Sequence, residues 1–438
     1  MSAATQARRV DPRLEIVVFQ QGRYVAYAAC GLPFFIAGQV PRVEALILYP
    51  PEHFRQERGI DVRVRHQVQR IDLRARVLEG TDHEAGRTFR EPFDRLVIAT
   101  GGSADRPALP GADLQGLFTL RTPEDGLALN AYLEAGEARR AAVVGGGYIG
   151  LELAEALRHR GLEVSLFEAL PQVLPMVDGA LAGRVAAAAR AAGVRLHFGT
   201  AVTAFEGAPG GRVRAVCGGG ERHPAELVVL ATGTRPNVAL AAAAGVPLGH
   251  TGAISVDRKL HTGLFGVYAA GDCAEATHCL TGRPVYLPQG TTANRQGHVA
   301  GGNAAGASLC FPGILGTLAT KVFGLEVART GLSEQEARDA GFAAVAARAQ
   351  APSRSRYFPG AGRIDVLLVG DRRSGRLLGA QMVGAEGVAK RLDVLAAALH
   401  AGMTVEQVVA MDLTYAPPVA PATDPVIVAA RALLKAMR

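Results

Sequence analysis

Cys30 lies in a segment whose residue types favour a reactive thiol. The sequence Cys30-Gly-Leu-Pro33 predicts the opening of a helix, with Pro33 in its first turn. A helix N-terminus lowers the pKa of a nearby thiol and makes the thiolate available as a nucleophile. No second cysteine lies two to five residues away, so an internal disulfide within this segment is excluded. The alternative interpretation is a buried structural cysteine.

A glycine-rich turn formed by Gly145, Gly147 and Gly150 is the second chemical motif. It follows an apolar strand and precedes a helix, which is the context of a dinucleotide-binding fingerprint. Gly145 allows the tight turn, Gly147 lets the backbone approach a pyrophosphate, and Gly150 lets helix and strand pack closely. Glu168 closes the next predicted strand and is placed to accept from ribose hydroxyls. The motif therefore predicts NADH binding. NADPH stays an alternative because Arg160, eight residues before Glu168 on the preceding helix, could pair with a 2′-phosphate.

The elements that position these residues follow an α/β pattern. Helix and strand patterns alternate from residue 1 to about 110. Residues 95–102 and 227–233 each predict a buried strand that runs into an Ala-Thr-Gly turn, which indicates two similar nucleotide-binding domains. After about residue 320 the pattern predicts an antiparallel sheet, followed by two or three helices and a last helix over 426–437.

The start of the chain reads as the second half of a further βαβ unit. Residues 1–9 predict a helix and residues 14–19 predict a strand that ends at Gln20. The first strand and glycine turn of such a unit would come before Met1. Because a parallel sheet needs that central strand, we expect the reading frame to continue upstream for about a dozen residues. An ordinary N-terminal helix is the alternative.

Composition restricts the class of protein. The 438 residues include 49% apolar residues and 53 glycines, which suits an α/β enzyme. The chain has four lysines and 43 arginines. Because the sequence shows no basic stripe with interleaved aromatic residues, we do not expect it to bind nucleic acid. Five cysteines without ligand spacing predict a reducing compartment and no metal site. With no apolar run long enough to span a bilayer, we expect a cytoplasmic protein without a membrane partner.

Taken together, the motifs resemble the single-cysteine branch of the flavin-dependent pyridine nucleotide-disulfide oxidoreductases. Within that branch the sequence is most similar to coenzyme A disulfide reductase, with NADH oxidase and NADH peroxidase as relatives. The similarity covers essentially all 438 residues. The segments that carry it are Cys30–Pro33, Gly145–Gly150, Thr262–Asp272, Arg356–Gly360 and Tyr415–Pro418.

The resemblance implies an α/β fold with two Rossmann-like, three-layer nucleotide-binding domains and a C-terminal α+β dimerisation domain. The implied boundaries are 1–117 and 236–318 for the two parts of the FAD-binding domain, 118–235 for the NAD(P)-binding domain, and 319–438 for the dimerisation domain. The FAD-binding strand and glycine loop are not among these residues.

The resemblance also implies FAD and NADH as cofactors. Asp272 would bind the ribityl chain of FAD, and Gln20 stands where the family has an acidic residue for the adenosine ribose. Tyr148 resembles the family's gate over the flavin; packing of an aromatic side chain is the alternative. The remaining implied cofactor-binding residues are Val68, Thr100, Gly101, Ile149, Gly233 and Gly271.

Catalysis in this family takes place across a homodimer. Cys30 would be the nucleophile, and Tyr357 and Tyr415 resemble two tyrosines that act beside the mixed disulfide of the partner subunit. The residues that resemble coenzyme A contacts are Ser2, Gln6, Arg9, Arg58 and Asn294. The sequence departs from the reductase at three positions, where Ala26, Ala29 and Thr423 replace Ser, Asn and Lys.

The leading hypothesis is an NAD(P)H-dependent flavoprotein that reduces coenzyme A disulfide through a mixed disulfide between Cys30 and CoA. One alternative is an NADH oxidase or peroxidase that uses a Cys30 sulfenate, and another is a persulfide or polysulfide reductase. A hypothesis of a different class is a catalytically idle NAD-binding protein that lacks flavin.

Overall fold

The computed structural model describes all residues, 1–438. Its helices are α1 (Ser2–Val10), α2 (Leu32–Ile36), α3 (Pro51–Arg58), α4 (Pro123–Glu134), α5 (Tyr148–His159), α6 (Gly179–Ala191), α7 (Ala239–Ala243), α8 (Gly290–Ala304), α9 (Glu334–Asp339), α10 (Val388–His400), α11 (Val405–Val409) and α12 (Pro425–Met437).

The strands are short in the first part of the chain and longest near its end. They are β1 (Val17–Gln20), β2 (Ala26–Tyr27), β3 (Ile47–Tyr49), β4 (Asp61–Val64), β5 (His66–Asp72), β6 (Val77–Asp82), β7 (Arg87–Pro92), β8 (Leu96–Ile98), β9 (Gly102–Ala104), β10 (Leu117–Thr119), β11 (Arg140–Val144), β12 (Glu163–Glu168), β13 (Val194–Phe198), β14 (Val202–Gly207), β15 (Val213–Gly218), β16 (Glu221–Pro224), β17 (Leu227–Leu230), β18 (Thr234–Pro236), β19 (Val267–Ala269), β20 (Ala276–Thr277), β21 (Pro284–Val285), β22 (Leu318–Val322), β23 (Leu325–Gly331), β24 (Ala344–Pro352), β25 (Arg363–Asp371) and β26 (Leu377–Gly384).

Residues 118–235, which we call the central region, contain a parallel sheet of five strands in the order β10-β17-β11-β12-β13. The strands β11 and β17 in its middle are almost entirely apolar and buried, as both faces of a parallel sheet must be. A three-stranded antiparallel sheet, β14-β15-β16, packs beside it. This arrangement confirms the predicted Rossmann-like unit around the glycine turn.

Residues 1–117 and 236–318, which we call the outer region, form a divided sheet. Strand β1 pairs in parallel with β4, and β8 pairs in parallel with β19, but no ladder joins the two pairs. Helix α1 packs closely against α8, where an added Cβ at Gly301 would lie 2.0 Å from the carbonyl oxygen of Ala3. The glycine therefore lets the two helix backbones approach each other.

The predicted alternation of helices and strands up to residue 110 was wrong for residues 66–92. That stretch folds as the antiparallel sheet β5-β6-β7, whose neighbouring strands are joined by tight turns. Its burial alternates along β6, which is the period-two pattern of a half-exposed strand.

The C-terminal part forms an antiparallel sheet in the order β22-β23-β26-β25-β24, as predicted. Strands β25 and β26 are buried along nearly their whole length because α10 and α12 cover one face, while Leu367 and Val383 on the other face join the core cluster that contains residues of α5 and α6. The last helix begins at Pro425, with Asp424 as its N-cap, one residue before the predicted start. No helix in the chain is both long and apolar enough to cross a membrane.

Candidate active site

Cys30 is exposed and lies in a single 3₁₀ turn, Ala29–Gly31, that leads directly into α2. Pro33 occupies the first turn of α2, as predicted. The turn is held by backbone hydrogen bonds, from the Ala28 N–H to the Leu46 carbonyl oxygen at 2.8 Å and from the Gly31 N–H to the Ala28 carbonyl oxygen at 2.9 Å. The thiol is therefore accessible, while the backbone that carries it is held in place.

Tyr148 is the first residue of α5 and is half-buried. Burial raises the pKa of the Tyr148 hydroxyl, and the neighbouring Cys30 charge raises it further. The tyrosine therefore lies near the thiol and remains protonated at neutral pH.

Helix α5 is fixed along its length by side-chain contacts. The Thr320 hydroxyl donates to Glu152 Oε1 at 2.5 Å, and the Phe323 backbone N–H donates to Glu155 Oε1 at 2.7 Å. At the end of the helix, Arg160 Nη1 donates to Asn130 Oδ1 at 3.1 Å and to the Ile36 carbonyl oxygen at 3.4 Å. The Arg160 side chain is thus bound to α2 and α4. The expectation that it could assist a nucleotide phosphate beside Glu168 finds no support in this geometry.

The three glycines of the turn before α5 have different surroundings. Gly145 has a φ of +109°, and an added Cβ there would lie 2.3 Å from the carbonyl oxygen of Ala231. An added Cβ at Gly150 would lie 1.9 Å from the Gly145 carbonyl oxygen, whereas one at Gly147 would meet nothing within 4 Å. Gly145 and Gly150 are therefore required by the fold, and the surface at Gly147 is open to a ligand.

Glu168 lies at the end of β12, with only 8% of its surface exposed. Its Oε2 atom accepts from the Gly146 N–H at 2.7 Å, and its Oε1 atom accepts from the Leu170 N–H at 2.8 Å. The carboxylate is thus held beside the glycine turn, and each oxygen keeps a lone pair for a ribose hydroxyl.

A cavity of about 1040 Å³ extends from this turn towards the outer region and the C-terminal sheet. Tyr148, Ile149, Glu168 and Gly233 line it. Arg121 and Tyr286 line the part nearest the outer region. A volume of this size is large for a small-molecule site and suits an extended dinucleotide.

The residues around Asp272 form the second part of the site. The carboxylate of Asp272 forms an ion pair with Arg121, whose Nε also donates to the Gly102 carbonyl oxygen at 3.2 Å. Gly271 has a φ of +85°, and its N–H donates to Gln296 Oε1 at 2.9 Å, which fixes the turn that presents Asp272. Nearby, the buried hydroxyl oxygen of Tyr286 has no hydrogen-bond partner.

Thr100 and Gly101 complete this part of the site. The Thr100 hydroxyl donates to the Asn237 carbonyl oxygen at 2.6 Å, and Asn237 Nδ2 donates back to the Thr100 carbonyl oxygen at 3.0 Å. Gly101 has a φ of +69°, and an added Cβ there would meet nothing within 4 Å. An oriented carboxylate and an open glycine fit the ribityl and ring portion of FAD.

Comparison with known proteins agrees with this geometry. Residues 1–297 match the family described as pyridine nucleotide-disulphide oxidoreductase, and residues 317–426 match its dimerisation domain. The chain belongs to the pyridine nucleotide-disulphide oxidoreductases. Proteins of this kind use FAD and NAD(P)H.

Three relatives illustrate the similarity. The NAD(P)H sulfur oxidoreductase (CoA-dependent) of Pyrococcus furiosus is 40% identical over 99% of this chain and 96% of its own length. The coenzyme A disulfide reductase of Staphylococcus epidermidis is 27% identical over 95% of this chain and 93% of its own. The structure of an NAD-dependent persulfide reductase from A. fulgidus has a TM-score of 0.95 and 37% identity over 99% of this chain and 81% of that one.

Two predicted FAD contacts of this oxidoreductase have local roles in the structure. The side chain of Gln20 is bound within its own turn, since its Oε1 accepts from the Gly22 N–H at 3.2 Å and its Nε2 donates to the Tyr24 carbonyl oxygen at 3.1 Å. Val68 lies in β5 opposite Gly80. Neither geometry tests binding of the adenosine ribose, so both assignments stay predictions.

The two C-terminal tyrosines lie together at the surface. Tyr357 is 75% exposed and Tyr415 is 51% exposed. The neighbouring Tyr357 hydroxyl raises the pKa of Tyr415. No hydrogen bond joins either of them to Cys30 within the chain. In the dimeric arrangement implied by the family, these hydroxyls are available to a partner subunit.

The residues predicted to bind coenzyme A lie on three helices that the fold brings together. Arg58, at the end of α3, donates from Nη1 to the Thr5 hydroxyl of α1 at 3.2 Å, which ties α3 to α1. Arg9 and Asn294 are exposed on α1 and α8. An added Cβ at Gly297 would lie 3.0 Å from Ser2 Cβ, and one at Gly302 would lie 3.6 Å from Gln6 Cγ, so Ser2 and Gln6 border the seam between α1 and α8.

Arg121 and Tyr286 are site residues that the sequence analysis missed. Arg121 precedes the N-cap Thr122 of α4, and Tyr286 follows the two-residue strand β21. Neither lies in a glycine motif. Their proximity to Asp272 arises only from the tertiary fold.

Proposed function

We propose that this oxidoreductase is an NAD(P)H-dependent reductase of sulfur bound to coenzyme A, with Cys30 as its nucleophile. The observation that carries the proposal is the exposed Cys30 thiol on a fixed turn beside Tyr148. With no second cysteine in that segment, the thiolate must form its disulfide with a substrate sulfur.

The first step is a thiol–disulfide exchange. The Cys30 thiolate attacks the CoA-bound sulfur of a CoA persulfide, a bond forms between Cys30 Sγ and that sulfur, and the terminal sulfur leaves as hydrosulfide with its proton. With CoA disulfide as substrate, the same attack releases one CoA thiolate instead. Either substrate leaves the same mixed disulfide between Cys30 and CoA.

The second step needs two electrons, which cleave the mixed disulfide into the Cys30 thiolate and a CoA thiolate. FAD, when bound, accepts hydride from NAD(P)H and supplies those electrons. Asp272 and the turn at Thr100 and Gly101 would hold FAD, and the turn from Gly145 to Gly150 with Glu168 would hold the pyridine nucleotide. Tyr148, which remains protonated near Cys30, would be the gate over the flavin that the family resemblance implies.

Persulfide is the favoured substrate form. The CoA-dependent sulfur oxidoreductase from Pyrococcus furiosus is more similar to this chain, at 40% identity, than the coenzyme A disulfide reductase, at 27%. Ala26, Ala29 and Thr423 stand where the disulfide reductase has Ser, Asn and Lys. The absence of these side chains agrees with a preference for CoA persulfide over CoA disulfide. CoA disulfide remains the second candidate because the same nucleophile and the same helices would receive it.

The CoA moiety is assigned to the surface formed by α1, α3 and α8. Exposed Arg9 and half-buried Arg58 place two guanidinium groups on this surface, where they suit phosphates, and Asn294 adds an amide. We further propose a homodimer in which Tyr357 and Tyr415 of the partner donate a proton to the leaving thiolate. The proposed division into domains is 1–117 with 236–318, 118–235 and 319–438.

Steady-state assays with NADH test this function. CoA persulfide, CoA disulfide, inorganic polysulfide, peroxide and oxygen should be compared as acceptors for the purified protein. We expect the highest kcat/KM for CoA persulfide, followed by CoA disulfide. A higher value for peroxide or oxygen would replace the proposal with an NADH peroxidase or oxidase.

Two further measurements sharpen the test. Mass spectrometry of the untreated protein should show a CoA-sized adduct on Cys30. The visible spectrum should show bound flavin; a colourless protein that takes up no added FAD would favour the idle NAD-binding protein instead.

A further inference from the structure

Residues 169–178, which we call the covering segment, connect β12 to α6 beside the glycine turn. The segment starts directly after Glu168, and the Leu174 N–H donates to the Gly146 carbonyl oxygen at 2.8 Å. Met176 lines the large cavity together with the glycine turn. The position of the covering segment therefore sets the shape of the cavity where we assign the pyridine nucleotide.

Two side chains of the C-terminal sheet bind the backbone of the covering segment. Arg329 of β23 donates from Nη1 to the Met176 carbonyl oxygen at 2.8 Å, and Gln381 Oε1 of β26 accepts from the Asp178 N–H at 2.6 Å. Arg329 and Gln381 lie directly opposite each other on neighbouring strands, so their side chains project from the same face of the sheet. The pair thus binds a carbonyl oxygen and an N–H that are two residues apart in the segment.

Both side chains are held in fixed positions. Only 10% of the Arg329 side chain is exposed, and its Nη2 donates to the Gly331 carbonyl oxygen at 3.0 Å and to Glu336 Oε2 at 2.8 Å. Gln381 is 2% exposed. Because these groups are buried, loss of either side chain leaves a backbone group of the segment without its partner.

The hydrogen bonds continue from the covering segment into the nucleotide motif. Leu174 binds the carbonyl oxygen of Gly146, and the N–H of Gly146 donates to Glu168 Oε2 at 2.7 Å. Glu168 Oε1 accepts from the Leu170 N–H of the segment at 2.8 Å. The segment therefore contacts both the glycine turn and the carboxylate placed for the ribose.

We propose that Arg329 and Gln381 are positioning residues for the pyridine nucleotide. They hold the covering segment against the glycine turn, so that the C-terminal sheet sets the affinity for NAD(P)H within its own subunit. The coupling runs through a contiguous series of hydrogen bonds. This inference rests on the assignment of the glycine turn and Glu168 to the pyridine nucleotide in the proposed function.

The test is Arg329→Met and, separately, Gln381→Met in the flavin-loaded protein. The dissociation constant of NAD⁺ is measured by isothermal titration. We expect it to rise about tenfold in Arg329→Met, which loses a charge-assisted hydrogen bond, and about threefold in Gln381→Met. Because Gln381→Met removes no charge, its effect cannot come from lost attraction between an arginine and the cofactor phosphates. Arg329→Lys, which keeps one donor group, should give an intermediate value.

Kinetics separate positioning of the nucleotide from general damage. The KM for NADH should rise by the same factors as the dissociation constant of NAD⁺. The kcat at saturating NADH and the KM for CoA persulfide should stay within about twofold of the wild-type values, since the covering segment is not part of the surface assigned to CoA.

Arg338→Met is the matched control, because Arg338 lies exposed on α9 and its hydrogen bond goes to Glu334. It should leave the dissociation constant of NAD⁺ unchanged. A folded Arg329→Met protein with a lower melting temperature but normal NAD⁺ affinity would give Arg329 a purely structural role and overturn the inference. If Arg329→Met does not fold, Gln381→Met decides, and unchanged NAD⁺ affinity in that variant overturns the inference.

The outcome is independent of the sulfur substrate. If both variants bind NAD⁺ normally and still reduce CoA persulfide, the inference about Arg329 and Gln381 fails and the proposed function stands. If the wild type binds NAD⁺ but reduces no CoA-linked sulfur, the proposed function fails and the titrations still decide the role of the two residues.

Discussion

The central and outer regions contain similar parallel strands but are held together in different ways. In the central region, five parallel strands form one continuous sheet, and the glycine turn that follows β11 contacts the neighbouring backbone of residue 231 directly. In the outer region, four parallel strands form two separate pairs. The contacts that join its parts are side-chain bonds and helix packing between residues far apart in sequence.

The two regions differ in how far apart in sequence their hydrogen-bonded residues lie. In the central region, Glu168 binds the turn at Gly146, only 22 residues away. In the outer region, Thr100 binds Asn237 across 137 residues, and Asp272 binds Arg121 of the central region across 151. The candidate nucleotide site of the central region is therefore formed by residues that are close together in sequence, so a sequence motif can predict it. The site around Asp272 is formed by residues that only the tertiary fold brings together.

Replacement of Cys30 by serine should have the largest effect on turnover. It removes the proposed nucleophile in the outer region and leaves the central region unchanged. Sulfur reduction should fall by about 10³-fold or more, since the nucleophile is lost. NADH binding and flavin reduction by NADH should be retained. The measurements are steady-state turnover and anaerobic stopped-flow absorbance.

Cys310→Ser is the control for this variant, since Cys310 is also exposed but has no assigned role. It should turn over CoA persulfide as the wild type does. Retained turnover in Cys30→Ser would remove Cys30 from the mechanism.

Gly150→Ala should disrupt the central region specifically. An added Cβ would lie 1.9 Å from the Gly145 carbonyl oxygen, so the turn must shift, at a cost of about 1–3 kcal/mol in stability. The dissociation constant of NAD⁺ should rise with it. Gly183→Ala in α6, where an added Cβ meets nothing within 4 Å, is the control and should match or slightly exceed wild-type stability. Normal NAD⁺ affinity in Gly150→Ala would contradict the assigned role of this turn.

Gly301→Ala places an equivalent clash in the outer region, 2.0 Å from the Ala3 carbonyl oxygen. Because it pushes α1 away from α8, we expect a loss of about 1–3 kcal/mol in stability and a higher KM for CoA persulfide. Affinity for NAD⁺ should not change. If both Gly150→Ala and Gly301→Ala weakened NAD⁺ binding equally, the two regions would not be independent.

Glu168→Gln should have the smallest effect, a change in nucleotide preference. The fixed carboxylate repels a 2′-phosphate by roughly 1–3 kcal/mol at an effective protein dielectric, so its loss should improve NADPH relative to NADH by about tenfold or more. The ratio of kcat/KM values for the two nucleotides measures it. An unchanged ratio, or a wild type that already prefers NADPH, would show that another group determines the choice.

The sequence predicted the local features well. Gly145 and Gly150 occupy the strained and crowded positions expected of them, and Pro33 opens the helix after Cys30. These predictions succeeded because each depends on residues within one turn and its neighbours. The antiparallel sheet of residues 66–92 was missed because the buried positions of β6 are occupied by Leu78, Gly80 and Asp82, so burial alternates along the strand while hydrophobicity does not.

Residues whose roles depend on distant partners could not be predicted. Arg121 carries no motif, and its pairing with Asp272 exists only once the chain has folded. Tyr286 likewise shows no sequence signal for its partnerless hydroxyl.

The contacts that fix α5 have a consequence for the speed of the enzyme. Glu152, Glu155 and Arg160 bind this helix to β22, to the following turn, and to α2 and α4. The helix and the turn that carries Cys30 therefore form one rigid unit, and Tyr148 can move aside only by rotation of its own side chain. Side-chain rotations of exposed residues occur in picoseconds to nanoseconds, whereas collective helix motions take microseconds to milliseconds. If Tyr148 is the predicted gate, we expect its opening to need rotation of a half-buried ring and no movement of α5.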